Sequence, residues 1–188
     1  MNLDRAALLV IDVQRGFDDP YWGPRNNPDA EANIARIVSA WRKAARPLFH
    51  IFHDSTSPES PLRPGQAGNL PKPEAEPQDG EPVYRKTVNS AFIGTGLEAD
   101  LRKAGVDTLV VVGLTTNHCV STSVRMAGNL GFDTYLVTDA TATFDRLGID
   151  GRTRPAAEVH AAALSDLQHE FATLVTSEAV IASARDAA

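Results

Sequence analysis

A single cysteine, Cys119, stands in 188 residues. One thiol cannot close an internal disulfide, so the chain is expected to rely on its core and to reside in a reducing, cytoplasmic setting. No apolar run is long enough to span a bilayer. The N-terminal MNLDRAALLVID holds an apolar run too short for a signal peptide, and that run ends on Asp12. Positive charge is scarce: 18 Lys and Arg against 24 Asp and Glu leave a net charge of -6. With no basic cluster, this argues against a nucleic-acid partner. Neither the GxGxxG fingerprint nor a P-loop occurs, so no nucleotide cofactor is expected. There is no internal repeat and no interdomain linker, and residues 1–188 are read as one domain with a sizeable core.

What is present is an alternation of strand-like and helix-like segments. ALLVI (7–11) is a continuous apolar run of the kind buried on both faces of a parallel sheet. A Pro- and Asn-rich loop follows, and then Ile34, Ile37, Val38, Trp41 and Ala45 repeat at helical spacing, with Asn27 as expected cap and Pro28 as first helical residue. LFHIFHD, PVYRK, DTLVVVG, DTYLVTDA and ATLVT read as further strands. Between them, TGLEADLRKAG suggests a capping box of Thr95 and Glu98, a helix is expected over about 117–129, and RPAAEVHAAALSDLQHEF is a helix opened by Pro155. Residues 55–83 form a long Pro-, Gly- and Ser-rich loop, a length usually associated with function or disorder. The order implies a three-layer α/β/α domain around a doubly wound, mainly parallel six-stranded sheet, which is Rossmann-like.

Ligands of such sheets bind beyond the carboxyl ends of the strands, and Asp12, Lys86 and Cys119 fall at or just after such ends. Cys119 follows TTN, natural cap residues, and precedes helical periodicity, so a thiolate there would meet free N–H groups and the positive end of a helix dipole. The alternative is a buried cysteine acting as a small hydrophobe. Asp12 is a helix cap, a solvated strand end or a general base; Lys86 is an ordinary exposed lysine or a charge that lowers the thiol pKa. His50 and His53, three apart on a strand, point to opposite faces and disfavour a shared metal site. His160, on one face with Leu164, Leu167 and Phe171, reads as core packing.

Taken together, LLVIDVQRGF, YRKTVNSAF, VVGLTTNHCVSTSVRMAGNLGF and VTDATATFD, in that order, resemble the isochorismatase-like cysteine hydrolases, a family that includes nicotinamidases, N-carbamoylsarcosine amidase and ureidoacrylate amidohydrolases. The resemblance implies a catalytic triad of Asp12, Lys86 and Cys119, an oxyanion hole of the Thr115 and Cys119 N–H groups, and a cis peptide between Leu114 and Thr115. It also implies a substrate pocket near Gln14, Phe17, Trp22, Phe92 and His118. The implied reaction is cleavage of a C–N bond in a small amide, ureido or carbamoyl compound through a thioester, and the implied assembly is a homo-oligomer, dimer or tetramer. Two departures bear on this. Where nicotinamidases carry a DxH metal segment, this chain has Asp54 and then Thr56, so no metal is expected. Isochorismatases that cleave a vinyl ether lack the cysteine, so Cys119 favours an amidohydrolase; vinyl ether hydrolysis, and a non-catalytic thiol sensor or binding domain, are the alternative readings.

Overall fold

The computed structural model describes residue 3 and residues 5–185. Six parallel strands form the central sheet in the order β3-β2-β1-β4-β5-β8. They are β1 (Ala6–Ile11), β2 (Leu48–His53), β3 (Val83–Lys86), β4 (Thr108–Leu114), β5 (Asp133–Ala142) and β8 (Thr173–Val175); β6 (Arg146–Leu147) and β7 (Thr153–Arg154) make a separate small hairpin. The helices are α1 (Ala30–Lys43), α2 (Leu97–Lys103), α3 (Ser121–Asn129), α4 (Ala156–Leu167) and α5 (Ser177–Arg185).

Because successive strand residues face opposite sides, β1 feeds two cores. Leu8 and Val10 join Ile34, Ile37, Val38 and Trp41 of α1 and Val180 and Ile181 of α5. Ala7, Leu9 and Ile11 join Leu97 and Leu101 of α2 and Val120, Val124 and Ala127 around α3. Helices therefore cover both faces, which explains why β1 and β4 are apolar without alternation. The strand order reverses between β1 and β4, so their carboxyl ends open the crevice where doubly wound sheets bind ligands. At that point the backbones approach so closely that Gly113 (φ 124°) has no room for a Cβ, which would collide with the Ile11 carbonyl.

Several local expectations are corrected. Asp29, not Asn27, precedes α1, and Ala45 lies past its end with a left-handed φ of 49°. Asn27 is itself left-handed (φ 44°), and its amide donates to the Thr138 and Thr141 carbonyls, pinning the 18–27 loop to β5. The capping box does not form: Glu98 turns to Arg102, and the Thr95 hydroxyl donates to the Ala91 carbonyl at 2.6 Å. The 117–129 helix begins as a π-turn over Thr116–Val120. Before β3 begins at Val83, the 55–83 segment holds two single-turn 3-10 pieces and a bridge from Pro71 to Gln14, and it is anchored: Leu62 and Ala75 enter the core, and buried Lys72 donates to Asp18 (2.5 Å) and Glu31 (2.7 Å). The Asp18 pair ties the 55–83 segment to the 18–27 loop, and the Glu31 pair ties it to α1.

Candidate active site

Asp12 directly follows the last residue of β1, and its backbone takes a left-handed φ of 52°. An aspartate tolerates this better than most residues because its short polar side chain bonds locally. β3 ends on Lys86, and its Nζ donates to Asp12 Oδ2 at 2.7 Å, with both side chains fully buried. β4 leads through Leu114 and Thr115, joined by a cis peptide bond, into the π-turn that carries Cys119. His160 on α4 meets Thr116 Oγ1 at 2.8 Å and braces that turn. The structure thus brings Asp12, Lys86 and Cys119 together from three strand ends.

His53, the last residue of β2, joins them. One imidazole nitrogen of His53, one Asp12 carboxylate oxygen and Cys119 Sγ lie within 4.8 Å of one another, and His53 Nδ1 is 3.4 Å from Lys86 Nζ. Burial first, then the Lys86 charge, lowers the His53 pKa, so the ring is neutral at neutral pH. Asn89 Oδ1 lies 3.8 Å from Cys119 Sγ. Neither residue is among the candidates read from the sequence. The strand-end rule that selects Asp12 and Lys86 also selects His53; nothing in the sequence singles out Asn89.

The thiol differs from its sequence expectation. Burial and then the Asp12 carboxylate push the Cys119 pKa up, and Lys86 opposes them without prevailing. The resting group is a thiol, because a thiolate at this depth would lose hydration and face a carboxylate. A helix start and one lysine do not reverse that.

A cleft of about 200 Å³ opens over these groups. Its lining includes the aromatic side chains Phe17, Tyr21 and Trp22 and, from the 55–83 segment, Ser55, Ser57, Ser60 and Leu62. Asp12, His53, Asn89, Thr115, His118 and Cys119 complete it. Phe17, Trp22 and Phe144 pack as a trio with ring centroids 5.1 to 6.1 Å apart, which holds the aromatic lining in place. His118 is approached by Arg146 Nη2 at 3.2 Å; burial and then this guanidinium lower its pKa. Two expected pocket residues lie elsewhere. Gln14 is buried beneath the site, exchanging amide bonds with the His53 backbone and donating to the Asn69 carbonyl. Phe92 is drawn into the α2–α3 core, where it stacks on Phe132 at 6.1 Å. A larger groove of about 870 Å³ between α3 and α4 contains none of the converging groups.

Residues at the position of the nicotinamidase-type metal segment do not fit a metal. Asp54 Oδ1 accepts from Arg85 (2.6 Å) and from Asn69 (3.0 Å), and Thr56 is exposed. Among the described residues, no helix is long and apolar enough to cross a membrane.

A parallel doubly wound sheet, with an acid, an ammonium and a thiol converging at its switch point, defines a three-layer α/β/α domain of the hydrolase kind. The chain belongs to the isochorismatase family: the family model described as "Isochorismatase domain" matches residues 6–179. It is 46% identical over 178 residues to the uncharacterized isochorismatase family protein YrdC of Bacillus subtilis, covering 95% of each chain. Nicotinamidase 3 of Arabidopsis thaliana is 31% identical over 187 residues, 93% of this chain and 86% of that one. Among solved structures, a putative hydrolase of the isochorismatase family from Chromobacterium violaceum superposes with a TM-score of 0.94 at 50% identity, covering 97% of this chain and 95% of the other.

Proposed function

We propose that this isochorismatase-family hydrolase is a cysteine-dependent amidohydrolase acting on a C–N bond of a small amide, ureido or carbamoyl compound. The observation that carries this is the buried Asp12–Lys86 pair at 2.7 Å, with Asp12 and Cys119 both lining the cleft. Likeness to a nicotinamidase adds to it.

In this reading the substrate carbonyl lies over Cys119 Sγ. Because the resting group is a thiol, its proton moves to Asp12 as the C–S bond forms, rather than before it. The tetrahedral oxyanion is held by the Thr115 and Cys119 N–H groups, whose preorganised dipoles cost no rearrangement as charge develops. Asp12 returns its proton to the leaving nitrogen, the C–N bond breaks, and a thioester remains. Water then gives a proton to Asp12, attacks the thioester carbon and releases the acid and the thiol. Lys86, hydrogen-bonded to Asp12 at 2.7 Å, holds that carboxylate in place and offsets negative charge while the proton is in transit. The 200 Å³ cleft fits a substrate of roughly ten heavy atoms, and its aromatic lining suits a flat one.

The test is an ammonia-release screen over primary amides, ureido acids and carbamoyl compounds, with Cys119→Ala as the control. Ammonia released by the wild type and abolished in a folded Cys119→Ala supports the reading. Unchanged hydrolysis by that variant removes the nucleophile, and pyruvate without ammonia from a vinyl ether substrate reassigns the reaction.

A further inference from the structure

Asp12, His53 and Cys119 offer three different donors: carboxylate oxygen, imidazole nitrogen and sulfur. The donor atoms lie within 4.8 Å of one another, and the residues are buried or half-buried. A tetrahedral zinc-type ion holds such ligands at about 2.0–2.3 Å, which sets donor–donor separations of roughly 3.3–3.8 Å. Contraction by about an ångström therefore brings all three donors within bonding distance of one ion.

A second observation points to the same place. Asp12 is fully buried, its Oδ2 is held by Lys86, and its Oδ1 has no hydrogen-bond partner among the described residues. Between two of the three donors the fold already places a cation, since Lys86 Nζ is 2.7 Å from Asp12 and 3.4 Å from His53. A mixed sulfur, nitrogen and oxygen set of this kind selects borderline-soft divalent ions over magnesium or calcium.

We propose that Asp12, His53 and Cys119 form a binding site for a thiophilic divalent cation of the zinc type, which takes the place of the Lys86 ammonium and silences the thiol. Binding forms three metal–ligand bonds, sends the thiol proton to solvent, moves the Lys86 side chain off Asp12 and leaves a fourth position for water. No oxidation state changes. The site is separate from the Asp54 segment and does not depend on Cys119 being a nucleophile.

Cobalt(II) is the probe, because a thiolate ligand gives it a near-ultraviolet charge-transfer band. Titration of the full chain should produce that band at one equivalent, block iodoacetamide labelling of Cys119, and be reversed by EDTA. His53→Ala should weaken cobalt binding at least about tenfold while its metal-free thiol still labels. His53→Gln, which keeps side-chain bulk without the imidazole, should behave alike should the alanine variant not fold. Lys86→Met should bind more tightly. The proposal is overturned by an absent band at millimolar cobalt, by equal affinity in the His53 variants, which would mark an adventitious thiol adduct, or by weaker binding in Lys86→Met.

Discussion

Removing the ammonium from the Asp12–Lys86 pair is the sharpest perturbation of the site. Both side chains are 0% exposed and meet at 2.7 Å, so Lys86→Met leaves a carboxylate with neither water nor counter-charge. Truncating one partner of a buried ion pair costs about 3–5 kcal/mol, most of it for the stranded charge. With a urea m-value of about 2 kcal/mol/M, that lowers the unfolding midpoint by roughly 2 M. Asp12→Asn combined with Lys86→Met should recover much of the loss, since no buried charge then remains. Urea unfolding followed by tryptophan fluorescence and circular dichroism compares the wild type with both variants. If Lys86→Met unfolds within 1 kcal/mol of the wild type, or the double variant is no more stable than the single one, the pair is not the dry, coupled unit described above.

Asp12→Asn removes the proton acceptor and also the carboxylate that pushes the thiol pKa up. Iodoacetamide labelling of Cys119 at pH 8–9 should therefore quicken while hydrolysis falls by about 10²–10⁴-fold; slower labelling or retained turnover would contradict the roles assigned to Asp12. Gly113→Ala should cost about 3 kcal/mol or more in thermal or urea unfolding, because the new Cβ meets the Ile11 carbonyl and the residue has a positive φ. Acid should destabilise the α1 side of the sheet through two groups. Despite burial, hydrogen bonds from Arg42, the Gln78 N–H and His50 hold the Glu81 carboxyl at about 2, against an ordinary 4.5. Its contribution, at most about 3 kcal/mol, is present above pH 4.5 and lost as pH falls towards 2. Burial lowers the His50 pKa from 6.5 although Glu81 opposes it, so stability also falls below pH 6.5 as the unfolded chain takes up that proton. Glu81→Gln should flatten the stability profile between pH 5 and 3.

Sheet type, layers and family were legible because they rest on features a sequence carries directly: apolar runs such as 7–11 and 108–114, helical stripes between them, and motifs around Asp12, Lys86 and Cys119. Helix starts were less legible. Asn27 and Thr95 are good cap residues, but each found a stronger tertiary partner, the β5 carbonyls in one case and Ala91 in the other. Phe92 near a catalytic motif looked like a pocket residue, yet the apolar gap beside Phe132 claims it. The ionisation of Cys119 is not legible for a related reason: the sequence shows a helix start, whereas burial and the Asp12 carboxylate, which raise the thiol pKa, follow only from the packing.

His53 shows how the site depends on register. In the β2–β3 pairing His53 stands opposite Lys86, and in β1–β2 Ile11 stands opposite Ile51. Side chains at paired positions of parallel strands share a face, so His53, two beyond Ile51, and Lys86 belong to the side packed by α2 and α3, where Cys119 also lies. His50 belongs to the other side, with Glu81 and Arg42 beside α1. Strict alternation along β1 would send Asp12 towards α1 as well, after Leu8 and Val10. It meets Lys86 instead because the chain leaves the extended conformation at Asp12 itself, where φ is 52°. The left-handed turn at the end of β1 is thus what lets an acid from one phase of the strand join a lysine, a histidine and a cysteine from the other, and no apolar pattern in the sequence encodes it.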